Sequence, residues 1–189
     1  TATEELAAAD PYNRECARQS AFRIDAELVR DTALAVSGLL APSIGGPSVK
    51  PYQPEGYWEN LNFPRRNYVP DRGESQYRRG LYVWWQRSFL HPSLLAFDAP
   101  SREECAAERG RSNIPQQSLV LLNDPTYVEA ARHLAARVLQ ECKGTAEERL
   151  THVWQLVLQR NPRPEEAKVM FDLLEVHQGR YHANPQAAE

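Results

Sequence analysis

The chain has 189 residues, 42% hydrophobic and 25% charged, with a formal net charge of −3, which is the size and composition of one packed domain and not of a disordered segment. That slight acidity excludes the basic footprint of a DNA- or RNA-binding surface. No apolar run approaches the roughly 20 residues needed to span a bilayer, and the longest, over 33–41, is interrupted by Ser37 and Gly38.

The chain opens on Thr1, and residues 1–9 carry neither the basic nor the apolar stretch of a signal peptide, so the expectation is a fragment of a longer chain, one domain over 1–189. A first helix is expected over 21–38. Phe22, Ala26, Val29, Ala33 and Val36 form an apolar stripe. Arg23, Glu27 and Arg30 fall on its wet side, and Gly38 supplies the stop. Residues 41–76 show no sustained period and are rich in Pro, Gly, Tyr, Asn and Arg. A connection that long is expected to wrap the surface or to carry function, and Tyr52, Tyr57, Trp58, Phe63 and Tyr68 favour packing over disorder. Over 77–100 a strand and loop are expected, because Leu81, Val83 and Trp85 alternate with Tyr82, Trp84 and Gln86; a helix is the alternative.

The remainder, 113–178, reads as helical. Pro115 opens a helix through Leu119 to Leu122. Asp124 caps the next, with Pro125 at its first position and Tyr127, Ala131, Leu134 and Val138 on one face. Thr145 and Glu148 form a capping box for a third, whose apolar face is Leu150, Val153, Trp154, Val157 and Leu158. Pro162 and Pro164 break it, and the last helix is expected to turn Ala167, Met170, Phe171 and Leu174 inward. The fold class is therefore mainly α (α+β), with a small β element and a long loop excursion.

Several blocks resemble a known family in order and spacing. They are Phe22-Arg23-Ile24-Asp25-Ala26-Glu27 with its continuation to Gly38, Gly45-Gly46-Pro47-Ser48-Val49, Tyr77-Arg78-Arg79-Gly80-Leu81-Tyr82 and Leu95-Ala96-Phe97-Asp98-Ala99-Pro100. The most telling is Arg111-Ser112-Asn113-Ile114-Pro115-Gln116-Gln117-Ser118-Leu119, running into Asn123-Asp124-Pro125. Together they resemble the C-terminal half of a planctomycete-type domain of unknown function, number 1553, over most of residues 12 to 175. Gln117-Ser118 stands where the family pattern has Ala-Leu, a mild departure. The resemblance implies an exported, extracytoplasmic, multidomain protein whose partners include its own other domains or a cytochrome-c-like domain. It implies no catalytic residues.

The chemistry-bearing candidates are Arg79, Asp98, Arg111, Asn113, Gln117 and Asn123. Arg111, Asn113, Gln116 and Gln117, followed by Asn123 and Asp124, lie at two successive helix N-termini, where free N–H groups favour an anion or a sugar. The plainer reading makes Asn113 and Asp124 caps, while Arg111 satisfies carbonyls or pairs with Asp98. Arg79 suits a bidentate grip on a carboxylate or sulfate, or an ion pair with Asp98. His91 has no second histidine at ligand spacing, and the singletons Cys16, Cys105 and Cys142 have neither zinc nor haem-attachment spacing. They read as free thiols or as one disulfide with one thiol left over. No GxSxG elbow, Walker loop or dinucleotide fingerprint is present, so no cofactor is expected. Tyr52, Tyr57, Trp58, Trp84 and Trp85 offer faces to sugar rings, or else pack the core of the long loop.

Three functions follow as expectations. The first is a non-catalytic structural or binding module contacting glycans or a partner domain. The second is an extracellular enzyme domain acting on polysaccharide around Arg79, Asp98, Arg111 and Asn113. The third is a docking surface for a cytochrome-c-like domain, which needs an exposed apolar patch with few charges.

Overall fold

The structure, a computed structural model, describes residues 3–19, 22–58, 67–86, 89–101, 103, 105–184 and 186; Phe63 lies outside them. Among the described residues there are seven α-helices: α1 Glu4–Ala9, α2 Ala26–Ser37, α3 Pro92–Ala96, α4 Pro115–Asn123, α5 Pro125–Glu141, α6 Ala146–Leu158 and α7 Pro164–Ala183. Among these residues no sheet forms, and the fold is mainly α as expected. The β element is reduced to isolated bridges, Ala41 with Arg78, Val49 with Val83 and Gln86 with Phe89. The alternating stretch does not become a strand; it contains a 3-10 turn at Gly80–Tyr82. Its partner segment around Val49 meets it only briefly, so alternation alone builds no ladder.

Local chemistry sets the helix ends. Asp124 caps α5 by accepting the Thr126 N–H at 2.9 Å, ahead of Pro125 in the first turn. Thr145 and Glu148 close their capping box at the start of α6. α2 begins at Ala26, later than the apolar stripe implies, and Phe22 is exposed. It ends at Gly38, whose φ of 80° is the left-handed conformation glycine adopts without a steric penalty.

The core gathers Ala26 of α2, Val83, Leu90, Leu94 of α3, Phe97 and Ala99. α2 also lies along α5, with Leu34 and Ala26 facing inward and Tyr127, Ala130 and Val138 buried from the α5 side. Arg137 fixes this pair by donating to the Val36 carbonyl at 2.9 Å. The long connection forms an aromatic annex. Trp58 stacks on Tyr68 at 5.6 Å and packs against Trp84 and Phe89, with its neighbour Tyr57 also against Phe89. Arg78 holds the preceding loop by donating to the carbonyls of Ser43, Gly45 and Pro47 while lying over the Tyr82 ring. By contrast, no described residue of α6 or α7 is buried. The inward positions expected for α7 are at most half-buried: Met170 and Leu174 are exposed.

Candidate functional site

The polar residues converge on the N-terminal end of α2. Asp25, extended, starts the helix, and the residues around it bind three loops. Arg23 pairs with Asp98 and also donates to the Ser112 carbonyl. Asp98 accepts the Ser112 N–H and the Ser112 hydroxyl, each at 2.8 Å. Gln117, buried, donates to the same Ser112 carbonyl at 3.1 Å. Glu27 takes Arg109 in a fork, at 2.7 and 3.4 Å. Asp31 accepts the Gly80 N–H at 2.6 Å and faces Arg79 at 3.7 Å. Asp98 itself has φ of 60°, a left-handed conformation that Asp tolerates better than most residues.

Charge follows from these bonds. The Ser112 N–H, then its hydroxyl and Arg23, hold the Asp98 carboxyl below its usual range. Arg109 is pushed up by its bonds to Glu27. The charged side chains of this cluster bond one another and the loops that they hold.

A second polar centre lies deeper. Arg30, which the stripe of α2 puts on the wet side, is 2% exposed. Its Nη2 donates to the Gln76 carbonyl, while Nε has no partner. Gln76 Oε1, Thr126 Oγ1, the Tyr127 hydroxyl and Glu129 Oε2 are likewise buried and unpaired. Burial pulls Arg30 down and pushes Tyr127 and Asp124 up. Tyr77, hydrogen-bonded to Glu129 at 2.9 Å, is pushed up to about 12, chiefly by burial. His91 is also buried: its Nε2 meets the Tyr52 carbonyl at 2.7 Å and its Nδ1 the Ser93 hydroxyl at 2.8 Å.

The placement of the expected residues differs in several respects. Asp98 pairs with Arg23 and not with Arg111 or Arg79; the Asp98 loop faces the residues just before α2, whereas Arg79 sits one turn along that helix, beside Asp31. Arg111 and Asn113 are exposed and make no ion pair or side-chain hydrogen bond among the described residues. Asn113 does not cap α4, because Ile114 occupies the extended cap position. Asn123 bonds back to the Leu119 carbonyl at 2.8 Å near the end of α4. Thus Asp98 and Gln117 meet at Ser112, while among the described residues Arg79, Arg111, Asn113 and Asn123 do not join them through any bond. Cys16, Cys105 and Cys142 are free thiols. Among the described residues no His, Cys, Asp and Glu group is placed to hold a metal ion, and no helix is long and apolar enough to cross a membrane.

The blocks that meet at α2 are those of a single family: its sequence profile, that of a protein of unknown function (DUF1553), matches residues 1–174. The chain belongs to the PSD1 family. No curated protein and no solved structure matches it. In this PSD1 member, sequence reasoning missed Arg109, which lies in an aperiodic stretch, and misplaced Arg30. A residue-by-residue stripe cannot reveal that a second helix, α5, covers the Arg30 side of α2. The one signal available was spacing: Ala26, Arg30, Leu34 and Ser37, the buried face of α2, follow helical steps as well as the apolar stripe does.

Proposed function

We propose that this chain is a non-catalytic docking module of an exported multidomain protein, and that it meets a protein partner through the outer face of α7. The observation that carries the reading is a contrast. The Arg, Asp and Glu side chains of the candidate site bind one another and hold loops against α2, whereas Val169, Met170, Leu173, Leu174, Val176 and Tyr181 on α7 are 36 to 64% exposed. A contiguous apolar face of that kind marks an interaction surface. The exported, multidomain setting rests on the resemblance in sequence.

A protein fits this face better than a glycan does. The face is mostly aliphatic, while sugar recognition draws on flat aromatic rings with polar groups around them. The aromatics of the long connection face one another instead, with Trp58 only 9% exposed. The test is a triple substitution, Val169→Asn, Leu173→Gln and Val176→Asn, in dilute protein. A docking face leaves the urea unfolding free energy within about 0.5 kcal/mol of wild type, as surface changes do. A loss of about 2 kcal/mol or more would mean that the face packs into the chain's own core, and would overturn the reading.

A further inference from the structure

We propose that the junction of α2, α5 and the 3-10 turn at Gly73–Tyr77 is a binding site for internal water, at least two molecules of which complete the hydrogen bonding of Arg30, Gln76, Thr126, Tyr127 and Glu129. The three elements are tied together there. Arg30 of α2 donates through Nη2 to the Gln76 carbonyl, and the next residue, Tyr77, donates to Glu129 Oε1 of α5 at 2.9 Å. Tyr127 is the group whose electrostatic pull on Arg30 is largest, ahead of Asp124 and Asp31. Arg30, Gln76, Thr126 and Tyr127 are 2, 5, 3 and 6% exposed, so bulk solvent does not reach them. Yet Arg30 Nε, Gln76 Oε1, Thr126 Oγ1, the Tyr127 hydroxyl and Glu129 Oε2 have no partner among the described residues. The site is separate from the α7 face, and the docking reading stands or falls without it.

The mixture of donors and acceptors names the ligand. Gln76 gives its amide N–H to the Asp71 carbonyl, which fixes Oε1 as an acceptor. Glu129 takes the Tyr77 hydroxyl on Oε1 and keeps Oε2 as a second acceptor. Arg30 Nε can only donate, and the Thr126 and Tyr127 hydroxyls do either. A cation would meet the guanidinium, and an anion would meet the Glu129 carboxylate and the Gln76 carbonyl oxygen. Water gives and takes hydrogen bonds at once, so it suits the whole set. Polar atoms left unmade in an interior are costly, and buried water is the usual remedy. One water makes about two to four bonds; the five unpaired atoms therefore exceed the capacity of a single molecule.

The test is a crystal structure of the full chain that resolves ordered water. Water is expected within about 3.2 Å of Arg30 Nε and of at least two of the other four atoms. In solution, magnetic relaxation dispersion of the solvent counts the waters that the protein holds for long times. Gln76→Leu with Thr126→Val removes an acceptor and a hydroxyl at similar size, and should lower that count by about one or more with helicity unchanged. Chloride and phosphate, titrated against thermal melting, separate an anion site from a water site. Direct pairing of the five atoms in the crystal, a water count indifferent to the double substitution, or a melting rise with either anion that Arg30→Met abolishes would each overturn the assignment. Should the double variant fail to fold, the wild-type crystal structure decides alone.

Discussion

His91 lies just before α3, and its two ring nitrogens are assigned by their neighbours. A carbonyl only accepts, so Nε2 carries the proton and donates to Tyr52, leaving Nδ1 to accept the Ser93 hydroxyl. The ring is thus neutral, and burial holds it down to about 4. The sign follows directly. Below about pH 6.5 the unfolded chain takes a proton that the folded chain refuses, so folding stability falls as pH drops from about 6.5 to about 4. Up to about 3 kcal/mol is at stake over that window. His91→Gln, followed by urea unfolding at several pH values, should flatten the slope; an equal slope in both proteins would show that carboxylates alone set it. Because Tyr52 belongs to the long connection, the same imidazole pins that connection to α3. Arg30 shows the opposite problem at this scale. It is a charge in the interior beside several unpaired polar atoms, an arrangement that a helical wheel drawn from apolar residues alone assigns to solvent.

Among the elements, legibility followed the locality of the signal. The cap of α5 at Asp124 and the box at Thr145 and Glu148 depend on residues within one turn, and both formed as read. α3, five residues long, and the 3-10 turns depend on what packs around them, so no period announced them. The alternation over 81–86 failed for the same reason, since a strand needs a partner and the chain supplies only a short contact at Val49. Close approach of elements is also invisible in sequence. A Cβ on Gly80 would lie 2.8 Å from Glu27 Cα and 2.9 Å from its carbonyl oxygen, against the backbone of α2. Gly80→Ala should therefore cost about 1–3 kcal/mol by urea unfolding, as overpacking does. A neutral result would show that the turn at Gly80–Tyr82 shifts freely away from α2, and with it the Asp31 contacts.

At the scale of the whole molecule, the chain has a dense part and an open part. α2, α3, α5 and the annex around Trp58 bury the core, and the polar bonds around α2 hold the loops onto it. α6 and α7 extend from that body, joined through His152 to Glu141, and through Trp154 and Arg160 to Glu166. The sequence reading found both helices and turned the apolar side of α7 inward, because an amphipathic stripe implies a cover without saying which molecule provides it. The candidate site was legible in part for a related reason. Asp98 and Gln117 were in view as chemistry, but what joins them, Ser112 and the distant Arg23, was not.

The central claim is that the polar constellation is architecture and not a binding site. The direct measurement is thermal melting of wild type, Asp98→Ala and Arg111→Ala, each with and without neutral and sulfated oligosaccharides, small anions and divalent metals. Asp98→Ala should melt several degrees lower, through loss of about 1–3 kcal/mol of charge-assisted hydrogen bonding. Arg111→Ala, exposed and unpaired, should melt with wild type, and no additive should raise any of the three. A ligand at about a hundred times its dissociation constant would add roughly 2.7 kcal/mol. Such a rise in wild type, lost in Arg111→Ala, would contradict the account and return the site to the list of binding surfaces.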